Sequence, residues 1–170
     1  FRISGLNCGG AKPMPEVQAW LKRIFKSCNI TENYASTECG AITYTYGDDV
    51  DGEITDGVEI KLEDYMDYKT TDKPYPRGEI LVRSKTGAHG YLNRPDLTAK
   101  SWTKDGFFHT GDIGLMIDSK HIRIIDRKKN IFKLSNGEWV SPEAVEAVIC
   151  GECDSVKQIF IHGSSSIGHI

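Results

Sequence analysis

A change of hydrophobic period is what most restricts the fold of this chain. Between Pro15 and Ser27 the apolar residues Val17, Trp20, Leu21, Ile24 and Phe25 recur at helical spacing, with Lys22, Arg23 and Lys26 on the other side. That is the pattern of an amphipathic helix packed on a neighbour. From Ala41 to Ser84 the pattern becomes that of strands: ITYTY, VEIKL and EILVRS are separated by Asp-Gly, Thr-Asp and proline-containing breaks. RISGL before the helix and Cys28 to Tyr34 after it complete a strand, helix, strand unit. The rest predicts a meander or small barrel from residue 41, a short helix over Pro95 to Trp102, and a hairpin of Ile113 to Ile117 with His121 to Ile125. Beyond these come a strand over Asn130 to Leu134, a helix over Glu143 to Ile149 with Ser141 as cap and Pro142 as first residue, and a last strand over Val156 to His162. The fold class expected is α/β, with an α+β portion.

Composition narrows the function classes. With 39% hydrophobic and 26% charged residues, the chain has the makings of a packed core rather than wholesale disorder. A formal net charge of -3 argues against a nucleic-acid or anionic-membrane partner, which calls for a basic excess. No run approaches the roughly 18 apolar residues that span a bilayer, so the chain reads as soluble and cytoplasmic, with room only for a peripheral membrane association. Five cysteines at irregular spacing suggest no disulfide framework and favour a reducing compartment. Cys150 and Cys153 have redox or metal spacing without a second pair to complete a site. The chain opens without methionine and closes just after an apolar run, as an excised piece would.

Three stretches can carry chemistry. In Asn33-Tyr34-Ala35-Ser36-Thr37-Glu38 an aromatic, a hydroxyl and a carboxylate follow a strand. Such a loop suits a magnesium ion carrying phosphates, or else it is an ordinary turn with Thr37 as a helix cap. In Phe107-Phe108-His109-Thr110-Gly111-Asp112 one carboxylate can accept from two neighbouring hydroxyls, as on a ribose, or Asp112 can simply close a β-turn. His109 is either a general acid or base or a packed neutral imidazole. In Asp126 to Glu138 the cations Arg127, Lys128, Lys129 and Lys133 are threaded through Ile131, Phe132 and Leu134 before Asn136-Gly137. Arg127 can fork onto a phosphate or ribose, and Lys129 and Lys133 can change partners across a hinge; the alternative is a solvated cationic loop.

Taken in order, SGLNCGGAKPMPEV, NYASTECG, GFFHTGDIG and IIDRKKNIFKLSNGEWVSPEAVE resemble the signatures of the adenylate-forming (AMP-binding) enzymes. These include acyl-CoA synthetases, luciferases, peptide synthetase adenylation domains and carboxylic acid reductases. The likeness covers essentially the whole chain. Its last signature is particularly similar to long-chain acyl-CoA synthetases, while DYKTTDKPYPRGEILV and SVKQIFIHGSS also resemble reductase adenylation domains.

The resemblance implies that residues 1–125 are the C-terminal portion of a large nucleotide-binding domain. Within it, 1–40 would be the end of a parallel sheet and 41–125 a small β-barrel. Residues 126–130 would be a hinge and 131–170 the start of a small α+β domain. It implies ATP, magnesium and coenzyme A, or a phosphopantetheine arm, as cofactors, and a carboxylic acid, expected to be fatty, as substrate. Gly10 and Ala11 would line the adenine pocket and Tyr34 would stack on the base. Thr37 would bond the α-phosphate, Glu38 would hold magnesium, Asp112 would take the ribose hydroxyls and Arg127 would reach ribose or phosphate. Lys129 falls at the family's hinge position and Lys133 where some members use a lysine in thioester formation. Ala35 departs from the family's usual glycine, and its methyl group would narrow the acyl channel or be tolerated.

The family's phosphate loop and adenylation lysine would lie upstream of Phe1 and downstream of Ile170, so this piece alone is expected to be inactive. A reductase or carrier-loading adenylation domain is the nearest other reading, and a non-catalytic nucleotide-binding module is one of a different class.

Overall fold

The computed structural model describes residues 3–10, 15–46, 49, 51–153 and 155–163. β1 (Gly5–Gly9), α1 (Pro15–Ile24) and β2 (Asn29–Ser36) form the expected strand, helix, strand unit, with β1 and β2 parallel. Glu16 in the first turn of α1 and Lys22 and Arg23 in the last complement the helix dipole. The helix does not find the neighbour its pattern asks for among the described residues: Val17, Trp20 and Ile24 stay about half exposed, at 45%, 50% and 53%.

After a turn at residues 37–39, β3 (Gly40–Tyr46) returns antiparallel on β2. The turn is closed by the Ser36 hydroxyl, which accepts from the Cys39 N–H at 3.1 Å, and by Gly40 at φ +73°, a value side-chain-bearing residues resist. The sheet continues with β4 (Gly52–Ile54), β5 (Val58–Glu63), β6 (Arg77–Ser84), β7 (Phe108–Met116) and β8 (His121–Arg127), in the order β1-β2-β3-β4-β8-β7-β6-β5. The meander is therefore present as β5 to β8. The β-rich part is not a sheet of its own, because β4 and β8 join it to the parallel end. Its ladder does not close into a barrel: β1 and β5 are its edges among the described residues.

The sheet is nonetheless curled. Ile42 of β3, Ile80 and Val82 of β6, Phe108 of β7 and Ile122 of β8 meet in one buried cluster with Cys39. Strands far apart in the ladder can share a core only if the sheet wraps round. The three-residue β4 and register shifts at Tyr34/Ala35, Glu79/Leu81 and Ile113/Gly114 supply the bends. Each such buried side chain contributes roughly 1.5–3 kcal/mol.

α2 (Pro95–Ser101) opens on proline and leads to Trp102, whose ring lies 4.8 Å from that of Phe108. Beyond β8 come β9 (Phe132–Lys133), β10 (Trp139–Val140) and α3 (Pro142–Glu152).

Three expectations are corrected here. The strand over Asn130 to Leu134 shrinks to Phe132 and Lys133, because the Leu134 N–H turns to the Glu138 carbonyl in a tight turn with Gly137 at φ +93°. Ser141 stands at the N-cap, but its hydroxyl donates to Asp126 Oδ2 instead of capping the helix. Residues 156–162 form no strand; the Ile161 N–H bonds Glu146 Oε1 of α3 at 2.7 Å, not a ladder partner. No helix among the described residues is long and apolar enough to cross a membrane.

Candidate nucleotide site

Tyr34 lies on β2 and Asp112 on β7, with β3, β4 and β8 between them. Four strand spacings in a flat sheet would separate them by about 19 Å. The curled sheet instead lets the Tyr34 hydroxyl donate to Asp112 Oδ2 at 2.6 Å. Asp112 pairs in register with Arg127 on β8, and the Arg127 Nε stands 3.1 Å from Asp112 Oδ1. The aspartate is 6% exposed, whereas the arginine faces solvent. Gly111 ahead of it takes φ +73° in open space, so the glycine is required by backbone conformation rather than by crowding. The Thr110 hydroxyl accepts from the Asp112 N–H at 3.1 Å and donates to the Ile80 carbonyl at 2.7 Å, pinning this part of β7 to β6. Burial, then the charge of Asp112 and the bond to it, push the Tyr34 phenol far above its ordinary range. It is a permanent donor at neutral pH.

Thr37 and Glu38 sit in the hairpin turn at residues 37–39, and no helix follows, so Thr37 caps nothing. Glu38 is half-buried, and its Oε1 accepts from the Tyr91 hydroxyl at 2.7 Å. Its Oε2 has no partner among the described residues. A half-buried carboxylate with an oxygen free of protein partners is a ligand that a hard divalent cation accepts, and Thr37 precedes it in the same turn. Ala35 is exposed and carries no positive φ, so its methyl group is held without backbone strain. Gly10 directly follows β1 at φ +89° with open space where a Cβ would lie, and Ala11 falls outside the described residues.

The cationic stretch divides its charges. β8 takes in Asp126 and Arg127, and residues 128–130 form a turn. The Lys128 ammonium reaches buried Glu79 of β6 at 2.8 Å and stands 4.5 Å over the Tyr65 ring. Lys129 is exposed and makes no side-chain bond among the described residues. Lys133 is exposed too, with its ammonium 5.1 Å from the centre of the Trp139 ring. His109 is neither free nor merely packed: its Nδ1 lies 3.4 Å from Glu79 and 3.8 Å from Glu63. These three side chains have metal-compatible spacing, but the Lys128 ammonium already supplies the cation to Glu79. Cys150 and Cys153 lie at the end of α3 as free thiols.

Glu79, Lys128 and Tyr91 were missed as site-shaping residues. The available signals were a lone carboxylate inside the run EILV and the Gly90-Tyr91 pair before Arg94-Pro95.

A sequence profile of the AMP-binding enzyme family matches residues 2–92. Long chain acyl-CoA synthetase 7, peroxisomal, of Arabidopsis thaliana is 42% identical over 96% of this chain and 24% of its own length. The chain belongs to the AMP-binding enzyme family. Among solved structures, the adenylation domain of a carboxylate reductase from Mycobacterium chelonae superposes with a TM-score of 0.81 at 36% identity, over 95% of this chain and 24% of that one. The corresponding domain from Segniliparus rugosus, solved with AMP and a co-purified carboxylic acid, gives 0.79 at 35% identity, over 95% and 25%. This AMP-binding enzyme chain thus spans about a quarter of the length of the relatives it matches.

Proposed function

We propose that this chain is part of an ATP-dependent acyl-activating ligase that joins a carboxylic acid, of the fatty class, to AMP and passes the acyl group to the thiol of coenzyme A. The observation that carries the reading is the meeting of Tyr34, from β2, with Asp112 and its in-register partner Arg127 on the distant pair β7 and β8. Tyr34 stacks on adenine, a contribution of about 1–3 kcal/mol. An ionised carboxylate has about four acceptor sites, so Asp112 can take the ribose hydroxyls while keeping Tyr34 and Arg127. Arg127, exposed at the rim, reaches ribose or phosphate. Gly10 and Ala11 line the adenine pocket, Thr37 bonds the α-phosphate, and Glu38 holds the magnesium that neutralises the phosphates.

In the first step a carboxylate oxygen attacks the α-phosphorus and the bond to pyrophosphate breaks. In the second the thiolate attacks the acyl carbonyl and AMP leaves. Residues 1–125 serve as the large-domain portion, 126–130 as the hinge centred on Lys129, and 131–170 as the start of the small domain with Lys133 acting in the second step.

A second reading, a carboxylic acid reductase or carrier-loading domain, is favoured by the superposition on reductase adenylation domains. The acceptor thiol then belongs to a phosphopantetheine arm.

The test uses the full-length enzyme in carboxylate-dependent ATP–pyrophosphate exchange across an acid series, followed by AMP release with coenzyme A or with a phosphopantetheinylated carrier. Exchange with fatty acids is expected, with Asp112→Ala lowering it about 100-fold or more, as loss of charge-assisted bonds to two hydroxyls implies. Exchange indifferent to Asp112 would overturn the reading, and the productive acceptor separates synthetase from reductase.

A further inference from the structure

We propose that Tyr91 is a positioning residue that orients Glu38 toward a divalent cation; this rests on the cation role proposed above for Glu38. Glu38 is gripped twice by the segment between β6 and α2. Its carbonyl accepts from the Ala88 N–H at 2.7 Å, and its carboxylate Oε1 accepts from the Tyr91 hydroxyl at 2.7 Å. One carboxylate oxygen is therefore occupied by protein, and Oε2 is left without a protein partner among the described residues.

Tyr91 is itself held in place. Its N–H bonds Thr98 Oγ1 of α2 at 2.9 Å, and its ring meets Trp102 edge-on at 5.3 Å. Trp102 leans on Phe108, which belongs to the buried core. A Cβ on Gly90 would lie 2.6 Å from the Thr98 side chain, so the close approach of the loop to α2 depends on that glycine. An aromatic path thus runs from the core to the carboxylate. The bond to Glu38, then burial, raise the Tyr91 phenol above its ordinary value, which keeps the hydroxyl a donor.

Magnesium takes oxygen ligands in a near-octahedral arrangement with little tolerance for a swinging carboxylate. Partners that hold a ligating carboxylate typically contribute 10–100-fold to metal affinity. A tyrosine that merely tied the loop down would alter stability and leave cation affinity alone.

The test measures manganese binding by electron paramagnetic resonance on the full-length enzyme with a non-hydrolysable ATP analogue. Wild type, Tyr91→Phe, Glu38→Gln and the double variant are compared, with thermal unfolding followed in parallel. Tyr91→Phe is expected to weaken cation binding about 10-fold, and to have no further effect once Glu38→Gln is present. Wild-type affinity in Tyr91→Phe beside a weakened Glu38→Gln overturns the role of Tyr91 and leaves the cation role of Glu38 standing. Wild-type affinity in Glu38→Gln overturns both. In unmutated enzyme carrying 13Cζ-labelled tyrosine, the resonance that Glu38→Gln displaces should also move when manganese-free magnesium is added. Its indifference to the cation overturns the proposal without reliance on a tyrosine variant.

Discussion

At the scale of single residues, the bond between Tyr34 and Asp112 joins positions 78 residues apart in the chain. Each was visible in the sequence as a member of a motif, because an aromatic before a hydroxyl and a carboxylate after a glycine have recognisable chemistry. Their meeting was not visible, since it depends on how far the sheet curls. Tyr34→Phe removes the donor to a buried carboxylate and is expected to destabilise the fold by about 1–3 kcal/mol, read from denaturant midpoints. The pH dependence has a definite sign. The Tyr34 phenol is raised above its ordinary value near 10, so folded and unfolded chains both keep the proton below that pH and this group adds no slope. Above about pH 10 the unfolded chain loses the proton first, so the stability Tyr34 provides declines as pH rises. The difference between wild type and Tyr34→Phe should be flat from pH 6 to about 9 and shrink beyond about 10. A difference growing with pH would contradict the buried donor.

At the scale of elements, periodic segments and helices opened by proline were legible, whereas strands of two or three residues were not. The spacing of Val17, Trp20, Leu21 and Ile24 suffices for α1, and Pro95 and Pro142 mark the first turns of α2 and α3. The run Val156 to His162 alternates like a strand, yet a strand exists only with a partner, which among the described residues it lacks. Glu79 could not be placed from its neighbours either. A carboxylate between Gly78 and Ile80 reads as a solvent-facing strand position, whereas here it is 3% exposed and bonded to the lysine that follows β8. That bond fastens the turn at residues 128–130 to β6, and the Lys128 N–H adds a bond to the Gly111 carbonyl at 2.8 Å. Lys128→Ala leaves a buried charge without its cation and is expected to cost about 1–3 kcal/mol, discounted from the full buried-pair value because the lysine is partly exposed. Pairing it with Glu79→Gln should recover much of the loss, as measured by urea unfolding of the two variants. A double variant no more stable than Lys128→Ala would show that Glu79 is not the group left stranded.

At the scale of the whole molecule, Lys128 is fixed to the curled sheet and Lys133 lies beyond the turn, with exposed Lys129, half-buried Asn130 and buried Ile131 between Lys128 and Phe132. Asn130 turns away from the sheet, its side-chain amide donating to Glu143 Oε1 of α3 at 2.7 Å, while Asp126 at the end of β8 accepts from Ser141. Contacts with α3 therefore stand on both sides of Lys128, through Asp126 before it and Asn130 after it, so a rotation about the turn at residues 128–130 has to part the Asp126–Ser141 bond. In the domain arrangement proposed here, rotation about Lys129 leaves Tyr34, Asp112 and Arg127 unchanged relative to one another and moves Lys133 relative to all three. A cation placed so can serve one half-reaction and stand clear of the other. In the full-length enzyme, Lys133→Ala should leave ATP–pyrophosphate exchange within about threefold while slowing acyl transfer to the thiol by about tenfold or more, the scale of losing one charge contact in a transition state. Rapid-quench measurement of the two steps separates them. Equal losses in both would place Lys133 beside the nucleotide throughout, and the turn at residues 128–130 would then be a rigid corner instead of a pivot.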